Sequence, residues 1–195
     1  MMSITQARRQ AVTETAERIV SIIGDAPTVD RLEQAKPHLM ALAERAELFP
    51  AEDFPLPTGD VTDRTYLIYD NAQGAALYAI TAVPGMTYRP HDHGGSWAMI
   101  AAVQGQEKHD LYLADPATPG KPILKDTLTC EPGTAVSLTP EGIHAIEGVG
   151  TEPLLHLHFY GTRFEDQAER TEYDLAAGKT DVFRMEAFGF IEDKR

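Results

Sequence analysis

Gly85-Met-Thr-Tyr-Arg-Pro-His91-Asp-His93 decides how this chain is read. On an extended strand, side chains alternate between faces, so residues two apart point the same way. His91 and His93 can therefore reach one point, while Asp92 faces away. A third histidine stands far downstream, His144 in Pro140-Glu-Gly-Ile-His. Three neutral imidazoles converging from two strands suit one divalent metal and leave coordination positions open for a substrate or oxygen.

The sequence around these residues is strand-like. Arg64–Asp70, Ala75–Ala82, Ser96–Gln104, Lys108–Ala114, Lys125–Glu131, Thr134–Leu138 and Leu154–Tyr160 read as strands. Breaks such as Asn71-Ala-Gln-Gly74, Pro84-Gly85, Pro132-Gly133 and Pro140-Glu-Gly142 separate them. Short, regularly spaced strands with Gly/Pro turns indicate a sandwich or a small barrel, whose inward side chains can line a ligand cavity. Thr171 to Arg195 is expected to add further strands and a charged tail.

Helices come first. Val12, Ala16, Ile19, Val20 and Ile23 form an apolar stripe that ends at Gly24, a natural helix terminator. A second helical region runs from about Thr28, a candidate N-cap, to Leu48. Pro37 is expected to kink it or split it, with a second helix over 37–48. Neither stretch carries a chemical motif, and both are expected to cover one side of a sheet. Phe49 to Gly59, with Pro50, Pro55 and Pro57, reads as a connector.

The 195 residues fit a single domain, 1–48 forming a helical cover and about 62–190 the barrel. With 17 basic against 30 acidic residues the formal charge is -13. That balance argues against a nucleic-acid partner and against an anionic membrane surface. An anionic substrate would need a locally placed Arg. Cys130 is the only cysteine, so no intramolecular disulfide can form, which suits a reducing cytosol. No apolar run resembles a secretory signal or a membrane span, so a cytoplasmic location is expected, as a monomer or a homo-oligomer.

Gly85 to Gly105 resembles the first motif of the cupins, a Gly followed by five residues, His-x-His, and a closing Gly after a strand. The usual cupin Glu ligand, five residues past the second His, is Ala98 here. Three neutral ligands leave a bound divalent ion its full charge, which favours an anionic ligand such as a thiolate. The run from His144 to Gly161, through Thr151-Glu-Pro and His156-Leu-His158-Phe-Tyr160, resembles the thiol dioxygenases, the cysteine dioxygenase family. The likeness spans roughly Arg64 to Tyr160.

The resemblance implies a mainly β fold, a cupin double-stranded β-helix or jelly-roll barrel with N-terminal α-helices. It implies Fe(II) held by His91, His93 and His144, although Zn, Ni or Mn also suit such ligands. It further implies O2-dependent oxidation of a small thiol, cysteine or 3-mercaptopropionate in type, to a sulfinate. His158 and Tyr160 match the family's catalytic His-Tyr pair beside the metal, and His156, which replaces its Ser, is read as a catalytic residue, a fourth ligand or a donor behind the ligands. These three also share one face of a strand without any appeal to the family, with Leu155, Leu157 and Phe159 on the other. Ala98 replaces the Cys that crosslinks to the Tyr in animal members, so Tyr160 is expected to be unmodified.

The substrate-carboxylate Arg of cysteine-selective members falls on Thr65 by direct counting, and on Arg64 only with a one-residue shift. In relatives acting on 3-mercaptopropionate that Arg lies beyond the Tyr, where Arg170 or Arg163 stands. Trp97 is either a packing residue or part of the cavity lining. His38 and His109 read as structural, Glu107 as a hairpin residue, and Cys130 as a buried small apolar residue. Two other readings stay open: a three-His dioxygenase cleaving a diketone-like substrate, and a cupin that binds metal and small ligands without turnover.

Overall fold

The structure is a computed structural model and describes residues 2–184. Its elements are α1 (Ile4–Ile23), α2 (Val29–Ala43), a 3-10 turn (Ala46–Leu48) and eleven strands. The strands are β1 (Asp63–Asp70), β2 (Ala76–Ala82), β3 (Thr87–His91), β4 (Ala98–Gln104), β5 (Gln106–Leu113) and β6 (Ile123–Cys130). They continue as β7 (Ala135–Leu138), β8 (Ile143–Val149), β9 (Leu154–Tyr160), β10 (Arg170–Asp174) and β11 (Lys179–Phe183), with a second 3-10 turn at Phe164–Asp166.

All pairings are antiparallel, in two sheets ordered β1-β2-β9-β4-β7 and β11-β10-β3-β8-β5-β6. This is the expected mainly β jelly roll with N-terminal helices. β10 and β11 are the further strands expected after Thr171. The charged tail, and the barrel limit near residue 190, lie outside the described residues.

The helices cover the outer face of the five-stranded sheet, as their stripes require. Ala16, Ile19, Ile23, Leu32, Leu39 and Leu42 are buried with Leu77, Met99, Leu155, Leu157 and Phe159 in one apolar cluster. Ser3 and Gln6 form a reciprocal capping box at the start of α1, and Gly24 closes it with a φ of 55°. Thr28 caps α2 through Arg31 N.

Pro37 neither splits nor ends α2, which is one helix over Val29–Ala43, and 46–48 form a separate 3-10 turn. The missing proline N–H removes one rung of the helix. Burial of Leu32, Ala35, Leu39, Leu42 and Ala43 holds the segment against the sheet despite that loss. Among the described residues, no helix is long and apolar enough to cross a membrane.

The strands expected to carry His91 and His144, whose bounds the local sequence leaves open, are β3 and β8. β3 contains Pro90, and β8 contains Gly148, both weak strand formers. Each is held by its neighbours, β3 by β8 and β10, and β8 by β3 and β5. His91 and His144 are direct cross-strand partners in the β3–β8 register. His93 sits two residues beyond the end of β3 rather than on it.

Candidate metal centre and cavity

β9 is the middle strand of its sheet, so its inward row is fixed on both sides. Tyr160 lies between Ala76 and Ala98, His158 between Tyr78 and Ile100, and His156 between Ile80 and Ala102. The three alanines give up volume that the two imidazoles and the phenol occupy. Leu155, Leu157 and Phe159 point the other way, into the helix-covered core.

His91, His93 and His144 converge, with His93 reaching the other two from beyond the end of β3. Each offers a nitrogen within 4.8 Å of the other two, and all three are buried. His93 Nε2 and His144 Nε2 are 3.1 Å apart. Metal–nitrogen bonds of about 2.0–2.1 Å put two ligand nitrogens roughly 3 Å apart, so this separation fits a shared ion. Without a cation or a proton between them, the two lone pairs would repel.

The outer partners set which nitrogen of each ring is free. His91 Nδ1 donates to Arg89 O at 2.8 Å, leaving Nε2 its lone pair. A lone pair on His144 Nε2 requires the proton on Nδ1, which then donates to His109 Nδ1 at 3.1 Å. His109 in turn brings Nε2 to 3.3 Å from Glu107 Oε2. An imidazole ligand backed by a second hydrogen-bond acceptor is a recurrent way of fixing ring orientation. Burial, reinforced by the Arg170 charge, pushes His91 down to about 3, and His93 falls well below its ordinary value for the same two reasons. His144 is lowered by burial and by the neighbouring histidines. Neutral imidazole is the form a metal needs.

Beside the triad lies a cavity of about 250 Å³. Its polar lining comprises His91, Glu107, His158, Tyr160 and Arg170 together with Asp63, Thr65, Tyr88 and Glu172, and its apolar lining Ile80, Met86, Ile146, Phe164 and Phe183. His158 Nδ1 and Tyr160 Oη are 3.2 Å apart, and the Tyr160 ring centroid is 5.5 Å from that of His93. Burial raises the Tyr160 hydroxyl to about 12, with Arg170 opposing, so it stays a proton donor near neutral pH.

Arg170 enters from β10 and is 3% exposed. Its Nε donates to Asp92 O at 2.9 Å, and its guanidinium lies 5.4 Å from the Phe183 ring centroid and 5.9 Å from that of Phe164. Among the described residues it has no carboxylate partner. Burial lowers its pKa. A guanidinium held this way attracts an anion.

The other expected arginines are elsewhere. Thr65, not Arg64, lines the cavity, because alternation on β1 turns Arg64 to the opposite face. Arg163 pairs with Asp70 at 2.7 Å on the surface. Trp97 packs edge-on against Phe159 on the helix-covered side, 5.2 Å between centroids, and so is not cavity lining. Ala98 stands in register with Tyr160, so the Glu and Cys of related motifs are both replaced by a methyl group at the rim of the site.

Two residues have a larger place than their sequence suggests. Glu107 is not a hairpin residue but an inward-facing carboxylate, 1% exposed, and His109 bridges it to His144. The signal available in the sequence was the shared face of Glu107, His109 and Leu111 at period two. His156 also faces Glu107, with Nδ1 3.0 Å from Oε2. Burial alone would lower His156, but Glu107 and the Cys130 thiol together outweigh it and hold the imidazole up to about 10. Burial likewise opposes ionisation of Glu107, yet His156 and His109 keep it well below the usual carboxylate range.

No family model matches this chain, and no curated protein matches it. Solved structures are similar to it at low identity. A Schizosaccharomyces pombe Cnp3 cupin domain is 9% identical, covers 51% of this chain and 64% of its own, and has a TM-score of 0.42. An oxalate oxidase in complex with the substrate analogue glycolate is 13% identical over 59% of each chain, with a TM-score of 0.46. KdgF from Halomonas sp. is 14% identical, covers 56% of this chain and 89% of its own, and scores 0.44. The chain thus spans less than two thirds of the first two. At such identities and scores the neighbours carry no weight for the chemistry, which rests on this chain's own residues.

Proposed function

We propose that this protein is a metal-dependent dioxygenase that oxidises a small thiol bearing a carboxylate to its sulfinate. The observation that carries the reading is Arg170, a buried guanidinium with no carboxylate partner among the described residues. It lies on the same cavity as His91 and Tyr160. A cavity of about 250 Å³ suits a molecule of a few heavy atoms. An Fe(II) ion held by His91, His93 and His144 would supply neighbouring open positions for a thiolate and for O2, and would pass electrons between them.

The chain's own groups do the rest. Arg170 grips the substrate carboxylate and so fixes the sulfur end toward the three histidines. Tyr160 keeps its proton and donates a hydrogen bond to the reacting end of the substrate, while His158 Nδ1 orients the phenol from behind. Ile80, Met86, Ile146, Phe164 and Phe183 keep the reaction space dry, which strengthens both interactions. Overall, both atoms of one O2 end on sulfur. The sulfur loses four electrons, and O2 gains them.

The test is O2 uptake by anaerobically iron-loaded protein given 3-mercaptopropionate, cysteine or cysteamine. Uptake is expected with a carboxylated thiol, one O2 per sulfinate formed, and little with cysteamine, which has no carboxylate. Arg170→Gln is expected to raise KM for the carboxylated thiol by about 10- to 100-fold, the range for losing a charged hydrogen bond of ~1.5–3 kcal/mol. No uptake with any thiol, or equal turnover of cysteamine and the acids, would count against the reading.

A further inference from the structure

The barrel interior holds a second group of metal-type ligands that the first centre does not use. Glu107 Oε2 is 3.0 Å from His156 Nδ1 and 3.9 Å from His158 Nε2. One donor atom from each of these three residues lies within 4.8 Å of the other two, and all three are buried. His109 Nε2 stands at 3.3 Å from the same carboxylate oxygen, and the Cys130 thiol lies against His109 and His156.

These donors are short of partners. Among the described residues, Glu107 Oε2, His109 Nε2, both ring nitrogens of His156 and His158 Nε2 are buried with no hydrogen bond of acceptable geometry. The distances to Glu107 are those of ion pairs whose angles miss a hydrogen bond. Glu107 is in ion-pair contact with His109 and His156, yet none of these atoms completes a hydrogen bond, a condition that a shared cation would relieve.

We propose that Glu107, His156 and His158 form a second, inner site for a divalent transition-metal ion. Two imidazoles and one carboxylate on one side of an ion are a recognised donor set for such metals, with positions left open. Bond lengths of about 2.0–2.2 Å require neighbouring donors roughly 3.0–3.6 Å apart, so 3.0 Å already fits and 3.9 Å closes by a few tenths of an ångström. His158 has its other nitrogen, Nδ1, against Tyr160 Oη, the outer partner that holds a ligating imidazole in place. Glu107 and His158 line the same cavity as His91, which gives an ion a way in. Nitrogen donors, with a thiol alongside, favour Zn2+ or Co2+ over Mg2+ or Ca2+. The two sites are joined by the contact between His144 and His109. The inner site stands on its own donors and does not depend on the thiol reading.

Equilibrium dialysis of metal-free protein against Co2+, with metal counted per folded chain, tests this directly. The wild type is expected to saturate at two equivalents. Glu107→Gln and His156→Gln are each expected to keep one, and His93→Gln is expected to lose the other while retaining the inner one. The cobalt absorption of Glu107→Gln and of His93→Gln should then sum to that of the wild type. Saturation of the wild type at a single equivalent that His93→Gln abolishes would overturn the proposal, and needs no inner-site variant to fold. A single equivalent that survives His93→Gln but not Glu107→Gln would keep the inner site and remove the outer one. Absence of thiol-dependent O2 uptake would leave the two-equivalent count untouched.

Discussion

The two faces of β9 carry opposite burdens. Leu155, Leu157 and Phe159 meet the helices in an apolar cluster, whereas His156, His158 and Tyr160 face the barrel interior with Glu107 and the three-histidine centre. Both faces are buried, so exposure does not separate them. Chemistry does. One face lowers the free energy of the fold by removing hydrocarbon from water, and the other holds polar groups that a purely structural strand would have no reason to bury. A strand in the middle of a sheet can do both because its side chains alternate strictly.

That division predicts which substitutions change chemistry and which change stability. Tyr160→Phe, on the inner face, is expected to lower kcat by about 10²–10⁴-fold, the usual range for losing a positioned proton donor. Its melting temperature should stay near wild type, since the ring is kept. Steady-state O2 uptake alongside thermal denaturation checks this, and an unchanged kcat would break the contrast. Leu157→Ala, on the outer face, is expected to cost about 2–5 kcal/mol of unfolding free energy through the cavity it leaves. Denaturant unfolding measures that cost, and kcat per folded molecule should remain unchanged. A Leu157→Ala protein with wild-type stability would show that the helices carry little of the fold.

The smallest effect concerns pH in the metal-free protein. His156 is held at about 10 against an ordinary 6.5, because Glu107 and the Cys130 thiol together outweigh its burial. Its contribution is complete below pH 6.5 and drains away as pH rises through 10. His158 is pushed by burial to about 3, Glu107 opposing. The stability tied to its neutral form is present above pH 6.5 and is lost as pH falls toward 3. Melting temperature should therefore decline on both sides of neutrality. His156→Gln should flatten the alkaline limb, and a melting temperature that climbs steadily above neutral pH would contradict the pairing.

Much of this arrangement could be read from the chain, and the failures have physical causes. Alternation in Leu154–Tyr160 gave both faces of β9, and the apolar stripe ending at Gly24 gave α1 and its cap. The bounds of β3 and β8 escaped because Pro90 and Gly148 weaken local strand preference, and pairing with neighbours restores it. Pro37 signalled a break that packing on the sheet overrides. The spacing of His91 and His93 pointed to a shared centre with His144, yet spacing could not reveal that His93 lies past the end of β3 or that Glu107 and His109 stand behind His144. That link is made across strands by a register absent from any single segment. Arg64 and Arg170 show the same limit. A one-residue offset turns Arg64 away from the cavity, and Arg170 enters it only because β10 pairs with β3 at His91.

The most direct test of the three-histidine centre is X-ray absorption at the iron edge of Fe(II)-loaded Glu107→Gln protein, which is expected to hold only the outer ion. Three imidazoles are expected in the metal's surroundings, two in the protein that also carries His144→Ala, and a new iron–sulfur distance when 3-mercaptopropionate is added. An imidazole count untouched by His144→Ala, with no sulfur neighbour on adding the thiol, would contradict the account.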